Sequence, residues 1–516
     1  MEQTRILPGA ARNSTGDHDG AEHPTETTGL LSEVQSVHTT GSAGIPDSVG
    51  AVRTVGLLCA IIFTASTAGG FQGLPAARTF EGILCQQYYT SHERTLVSLS
   101  LPSEDDCKIS AIQSQLVYLF AVNNAATAAV GCLAAMPWGI AADKYGRRFV
   151  LAICLYSSAL SMAIFILVAW FSDVVPVKLI WTSSLTGLIG GGNAVVMASL
   201  SGMLADVLPE AERAVGFMRI NVAAMLGHLI APTVAGALMP VVGSWVLMSL
   251  GFLLMIAAAA STGLLPETLR TGDKTTEGRE GDESPKADKI WKGGFNQVLS
   301  ALKDSAGVLQ SRSLILLVVT TLLALPASLC TLNLLSLYTS ARFHIRLAET
   351  GYIQTAFGIA QAIVALVLLP WLSRNTNSAR WAPSLQLFGT EVRRDLSLTR
   401  LSLAALTLGA TVLGLAPSLP YFTAGLAVMA LGSAAEGLIM GLMSTYVTAD
   451  HRARLYTLIG ILQVVSACYS DPMLAACYAA GLQLGGVWRG LPYLCVAVFC
   501  AVQGVLVGFV RVPRRE

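Results

Sequence analysis

The sequence predicts an all-α integral membrane protein with twelve transmembrane helices arranged as two six-helix halves. Three observations lead there. Of the 516 residues, 53% are hydrophobic and only 13% charged, about half the charged share of an ordinary soluble chain, so most of the surface must face lipid rather than water. Apolar stretches recur twelve times after residue 53, at lengths suited to a bilayer core of about 30 Å, or roughly 20 helical residues. The basic residues alternate between the intervening segments, as the positive-inside rule requires. With the N-terminus inside, and Arg219 near the inner end of span five counted with the segment before it, inside segments hold 26 of the 33 Lys and Arg and outside segments hold 7.

The elements follow in order. Residues 1–50 are rich in Gly, Ser, Thr, Asp and Glu and poor in large apolar side chains, a composition that cannot offset chain entropy, so a disordered cytoplasmic tail is expected. It shows no basic and apolar leader with a cleavage site, and the first span is expected to direct insertion. The N-terminal half is 51–265, with spans at 54–77, 114–137, 149–171, 179–205, 215–240 and 244–265. A cytoplasmic central loop, 266–312, places Phe295, Val298, Leu299, Leu302 and Leu309 at helical spacing, which fits either an amphipathic helix on the inner leaflet or a solvated linker. The C-terminal half is 313–511, with spans at 313–339, 351–372, 401–416, 421–447, 455–480 and 491–510, before a cytoplasmic C-terminus at 512–516. Pro75, Pro232, Pro326 and Pro472 fall inside spans, where neighbouring groups can bond the carbonyls that proline frees.

Two short repeats mark the halves. Span four ends Gly202-Met-Leu-Ala-Asp206 with Arg213 beyond it; span ten ends Tyr446-Val-Thr-Ala-Asp450 with Arg452 and Arg454 beyond. Between spans two and three the chain reads Gly139-Ile-Ala-Ala-Asp143-Lys144-Tyr-Gly146-Arg147-Arg148. Gly146 allows a tight turn, and Asp143 can meet a basic side chain or the positive end of a helix. This loop resembles the signature of the major facilitator superfamily, and every specified position matches. Pro266-Glu267-Thr268-Leu269, closing span six, is also similar to a run found in its sugar and drug carriers. The resemblance implies alternating access, with Asp143 set against the start of span eleven near Leu455 and Arg147 paired with Asp206 to latch the inner gate. A loop that only sets topology is the alternative.

Span five contains Gly227-His228-Leu-Ile-Ala231-Pro232-Thr-Val-Ala235-Gly236. It resembles the antiporter motif of drug-exporting facilitators, with alanine replacing two glycines. Gly227, Pro232 and Gly236 would permit close packing and a bend. Span four departs from the family pattern: Ser183 and Thr186 stand where an arginine is expected before Gly187 or Gly190. Gly187, Gly190, Gly191 and Gly192 are expected to let that span pack closely; no Lys-Ser/Thr follows them, so they are no phosphate loop.

Ionisable groups within spans are costly and face partners or water. Glu436 in span ten, His228 in span five and Asp471 in span eleven are the proton-coupling candidates. By the resemblance spans one, four, seven and ten line the cavity, which puts Glu436 foremost; a structural hydrogen bond is its alternative. Gln72, Asn193 and Asn333 lie in those same spans as candidate substrate contacts. Apolar walls with a few amides suit an organic solute rather than a bare ion. Eight of ten cysteines lie in spans, whereas Cys85 and Cys107 fall in the loop between spans one and two, an oxidising side on this topology, where a disulfide is expected.

Three of the seven histidines lie in the tail and the rest are scattered, with no paired nucleophile and base. An enzyme, a metal site and a cofactor are therefore not expected, and a net charge of +1 gives no attraction to nucleic acid. The expected partners are the bilayer, a small organic substrate and protons, bound by a monomer. Glu26-Thr-Thr-Gly-Leu30-Leu31 resembles an acidic dileucine sorting signal, and with it the reading is a multi-pass protein of the plasma membrane or a vacuolar or endosomal membrane, both termini cytoplasmic. Together these features point to a secondary transporter, with proton-coupled efflux of a drug-like compound or secondary metabolite first. A proton-coupled importer and a non-transporting receptor on the same fold are the rivals.

Overall fold

The computed structural model describes residues 48–92, 103–267, 311–368, 371, 391–447 and 452–511. The tail with its dileucine pattern, the amphipathic stretch of the central loop and 512–516 lie outside the described residues. Within them the protein is all-helical, with eleven helical segments long and apolar enough to cross a membrane. One of these, Val215–Leu264, has 50 residues, or about 75 Å at 1.5 Å per residue, more than two bilayer cores. Gly243 breaks it with φ 80° and ψ 161°. It covers the stretches expected as spans five and six, so the described residues supply helix for all twelve expected spans.

Several spans differ from their expected form. Span one continues as one helix, Ser48–His92, about fifteen residues past its expected end, because nothing after Pro75 breaks it. Glu81, Cys85, Tyr88 and Tyr89 therefore stand on a helical extension rather than in a loop. Phe80, fully buried, anchors the extension edge-on to Phe120 and Phe165. Span nine begins at Glu391 rather than residue 401. Sixteen residues reach only about 24 Å, so the helix borrows charged turns to cross, and Arg400 of those turns donates to the carbonyls of Val507 and Gly508 that end span twelve.

Span four is not continuous. A 3₁₀ stretch, Val177–Thr186, leads into Gly187–Gly190, and the helix restarts at Gly192–Val207. Gly191 and Gly192 have φ of 74° and 66°, which only glycine adopts without strain. The carbonyls around the break find side-chain donors: Ser157 bonds Thr186 O, Trp138 bonds Leu188 O and Cys154 bonds Gly190 O, as irregular backbone at membrane depth requires. A Cβ on Gly190 would lie 2.8 Å from Cys154 Cα, so this glycine also lets span four touch span three. Span ten is interrupted too, between Leu419–Leu431 and Ala435–Thr445. In span seven a π-turn, Cys330–Leu334, separates Arg312–Leu329 from Leu335–Phe343. Pro326 cannot bond Leu322 O, and that carbonyl instead accepts from Ser466 and Tyr469 of span eleven.

The cores are arranged unequally along the bundle. At the end carrying Cys85, one apolar cluster contains residues of both halves, including Phe80, Leu116 and Met248 with Tyr338, Phe357 and Tyr478. At the end carrying Asp143 there are two clusters. One runs from Val55 to Leu265, the other from Leu314 to Val510, and neither contains a residue of the other half.

Candidate functional site

The interruption of span ten turns Glu436 into a first-turn residue of Ala435–Thr445. Its carboxylate accepts from Gln463 Nε2 of span eleven at 3.2 Å. A cavity of about 80 Å³ opens beside it, lined by Ser328, Thr331, Gln361, Ser433, Glu436 and Gln503 among apolar neighbours. The Ser433 hydroxyl is buried without a partner. Drug-sized ligands need roughly 300–1,000 Å³, so an organic solute fits only if spans seven, eight and ten move apart. A larger cleft of about 420 Å³ between spans three and six, bordered by Arg148, Tyr156 and Glu267, lies on the flank and opens widely. None of its lining residues comes from the interrupted spans.

Asp471 is more enclosed. It is 7% exposed, and Asn333 Nδ2 of the span-seven π-turn donates to both of its oxygens at 3.2 Å. Asn124 of span two lies beside the same carboxylate. This node joins spans two, seven and eleven, and so both halves. Gln72 is buried with neither amide atom bonded, Asn193 is exposed just beyond the span-four break, and neither borders the Glu436 cavity. His228 is exposed, at helical spacing from Asn221 and Met225. Ser183, in place of the family's arginine, is buried and donates to Asn123 Oδ1 at 2.9 Å.

At the other end, Arg147 Nη1 meets Asp206 Oδ2 at 2.7 Å, with Asp143 Oδ1 4.0 Å from Nη2. Asp143 is largely exposed; spans two and eleven pack on each other, but no contact of Asp143 with the start of span eleven is found among the described residues. Lys144 lies over the Tyr145 ring. Gly139 has open space where a Cβ would stand, whereas Gly146 has φ 105° and a Cβ there would meet the Glu267 carboxylate. In span five, a Cβ on Gly227 would lie 2.8 Å from Phe63 O of span one, and one on Gly236 would overlap the Ala348 carbonyl of span eight.

The family model of the Major Facilitator Superfamily matches residues 89–470, well over half of the chain. The chain belongs to this superfamily. Among its relatives, the MFS efflux pump atnC of Emericella nidulans is 30% identical over 453 residues, covering 86% of this chain and 84% of the relative. The efflux pump ustT of Aspergillus flavus is 25% identical, covering 80% of this chain and 79% of its own. Among solved structures, the human organic anion transporter MFSD10 shares the fold with a TM-score of 0.55 at 18% identity, over 89% of this chain and 99% of that one. The nucleoside transporter NupG does so with 0.57 at 14%, over 89% and 98%. A facilitator of this kind is a multi-pass membrane transporter, not an enzyme.

For a facilitator the pairing of Arg147 with Asp206 depends on a residue that motif reading passes over. A Cβ on Gly202 would lie 2.6 Å from Arg147 Nε, so the guanidinium rests on bare backbone one turn before Asp206. Gly202→Val should push Arg147 off Asp206 and match the transport defect of Arg147→Ala, with Gly139→Ala as the harmless comparison. Wild-type transport by Gly202→Val would show that this seat is dispensable. Asn124 was equally open to view as a polar residue in an apolar run, whereas Gln463 and Gln361 have no signal beyond their type.

Proposed function

We propose that the protein exports a small, largely apolar organic molecule, a drug-like compound or secondary metabolite, in exchange for protons by alternating access. The observation that carries this reading is the unequal core, shared between halves at the Cys85 end and divided at the Asp143 end. Two bodies packed this way can rock about a midpoint and expose it to either side in turn. Interruptions of spans four and ten, which occupy corresponding positions in 51–265 and 313–511, supply unwound backbone and polar side chains at that midpoint. Export is supported by relatives named as efflux pumps.

In this reading the Asp143 end is cytoplasmic, with both termini, and Arg147 with Asp206 and Asp143 helps to close it. Glu436, Asp471 and His228 are the candidate proton carriers, and Gln72, Asn193 and Asn333 contribute to substrate contact. Gly227, Pro232 and Gly236 serve the tight packing of span five. Cys85 and Cys107, with Cα atoms 5.3 Å apart, form a disulfide on the outer side. The protein acts as a monomer in the plasma membrane or a vacuolar or endosomal membrane.

Proteoliposomes and a panel of apolar fluorescent dyes test the direction. An acid lumen should drive dye accumulation as protons leave through the protein. Accumulation driven instead by an acid bath would overturn export and favour import with protons.

A further inference from the structure

The segment between spans one and two reaches across to the other half through two charged side chains. Its turn is stiff: the Ser103 N–H and hydroxyl donate to Asp106 Oδ2 at 2.9 and 2.7 Å, which holds the Asp106 carboxyl below the usual carboxylate range. Glu104 Oε1 accepts from the N–H of Leu347 at 2.8 Å. Leu347 opens the span-eight helix, whose first N–H groups lack helical partners and favour an anion. Lys108, its side chain wholly buried, donates to Ile345 O at 2.6 Å and pairs with Asp105 Oδ1 at 3.3 Å. Ile345 lies just before that same helix.

Behind these contacts stands a network confined to the first half. Arg78 lies 3.6 Å from Glu104 and 2.9 Å from Glu81, and the buried Glu81 accepts from Gln113 Nε2 of span two at 2.7 Å. Gln113 Nε2 also bonds Cys107 O. Spans one and two thus hold the turn from behind, while Glu104 and Lys108 hold the start of span eight in front. These bonds are charge-assisted and shielded, each worth about a tenfold bias in an equilibrium.

We propose that Glu104 and Lys108 form a releasable latch that keeps the Cys85 end of the bundle shut and must break once in every transport cycle. The inference rests on the alternating-access reading. A permanent brace would have no reason to use polar contacts to backbone at the first turn of a helix in the opposite half; an apolar core already packs there. A latch does, because water can take over the same hydrogen bonds when the ends part.

Two experiments test it. In Glu104→Cys with Arg346→Cys, a short bis-maleimide should join the two sides, and dye transport in proteoliposomes should stop, while the same variant treated with a mono-maleimide continues to transport. Continued transport by the crosslinked protein would overturn the latch. Failure of the uncrosslinked variant and of the wild type alike to move any dye would instead count against the transport reading itself. Separately, Glu104→Gln with Lys108→Met should raise the rate at which Ser328→Cys is labelled by an impermeant maleimide from the Cys85 side by about tenfold or more, at unchanged thermal midpoint. An unchanged labelling rate would also overturn the proposal.

Discussion

Asp471→Asn is expected to lower pH-gradient-driven dye transport by about tenfold or more, the equilibrium value of one lost bond to a charged group, while the folded amount stays near wild type. The substitution keeps shape and volume. It replaces a carboxylate that accepts from Asn333 through both oxygens and lies beside Asn124 with a group offering one acceptor oxygen, so a donor is left facing a donor. Dye exchange without a pH gradient should survive, because the apolar walls of the path are untouched. Glu436→Gln is expected to do less. Its carboxylate is exposed and has a single bond to Gln463 at 3.2 Å, so water already serves most of its charge. Gradient-driven transport that persists in Asp471→Asn and disappears in Glu436→Gln would return the coupling role to Glu436.

That ranking reverses the order in which the sequence presents the two acids, and the reason is physical. Period and hydropathy place a residue on a span; they do not say which neighbours meet it. Glu436 stands out because span ten is expected to line a cavity, yet Asp471 has amides from two other spans. The crossings themselves were legible, because lipid enforces long apolar runs and the Lys and Arg census counts them independently. Interruptions were less so. The Gly190-Gly191-Gly192 run reads as a packing device from sequence, and Gly190 does pack on Cys154, but Gly191 and Gly192 also break the helix, which only their positive φ reveals. Span one ran past its expected end because apolar length marks the lipid, whereas a helix stops only at a breaker. The reach of Glu104 and Lys108 to the other half had no signal, since their partners there are backbone atoms of residues more than 200 positions away.

Gly351→Val is expected to lower the thermal midpoint measurably, at a cost of about 1–3 kcal/mol for forcing volume into a filled contact. A Cβ on Gly351 would overlap the Pro232 carbonyl, and one on Gly236 would overlap the Ala348 carbonyl. The two glycines, one on each helix, therefore bring spans five and eight together backbone to backbone. A backbone carbonyl cannot rotate aside as a side chain can, so the helices must part, and the bond from Thr355 Oγ1 to Leu229 O, now 2.8 Å, must lengthen with them. The contact joins the halves at the Cys85 end, and labelling of Ser328→Cys from that side should rise in the same variant. Gly82→Ala is the comparison: nothing lies within 4 Å of its Cβ position, and alanine favours a helix by up to about 1 kcal/mol. A midpoint for Gly351→Val equal to wild type would show that the close approach does not hold this end together. Small residues suit a contact that has to reopen, because smooth backbone surfaces separate without the interlocked side chains that would have to disengage one by one.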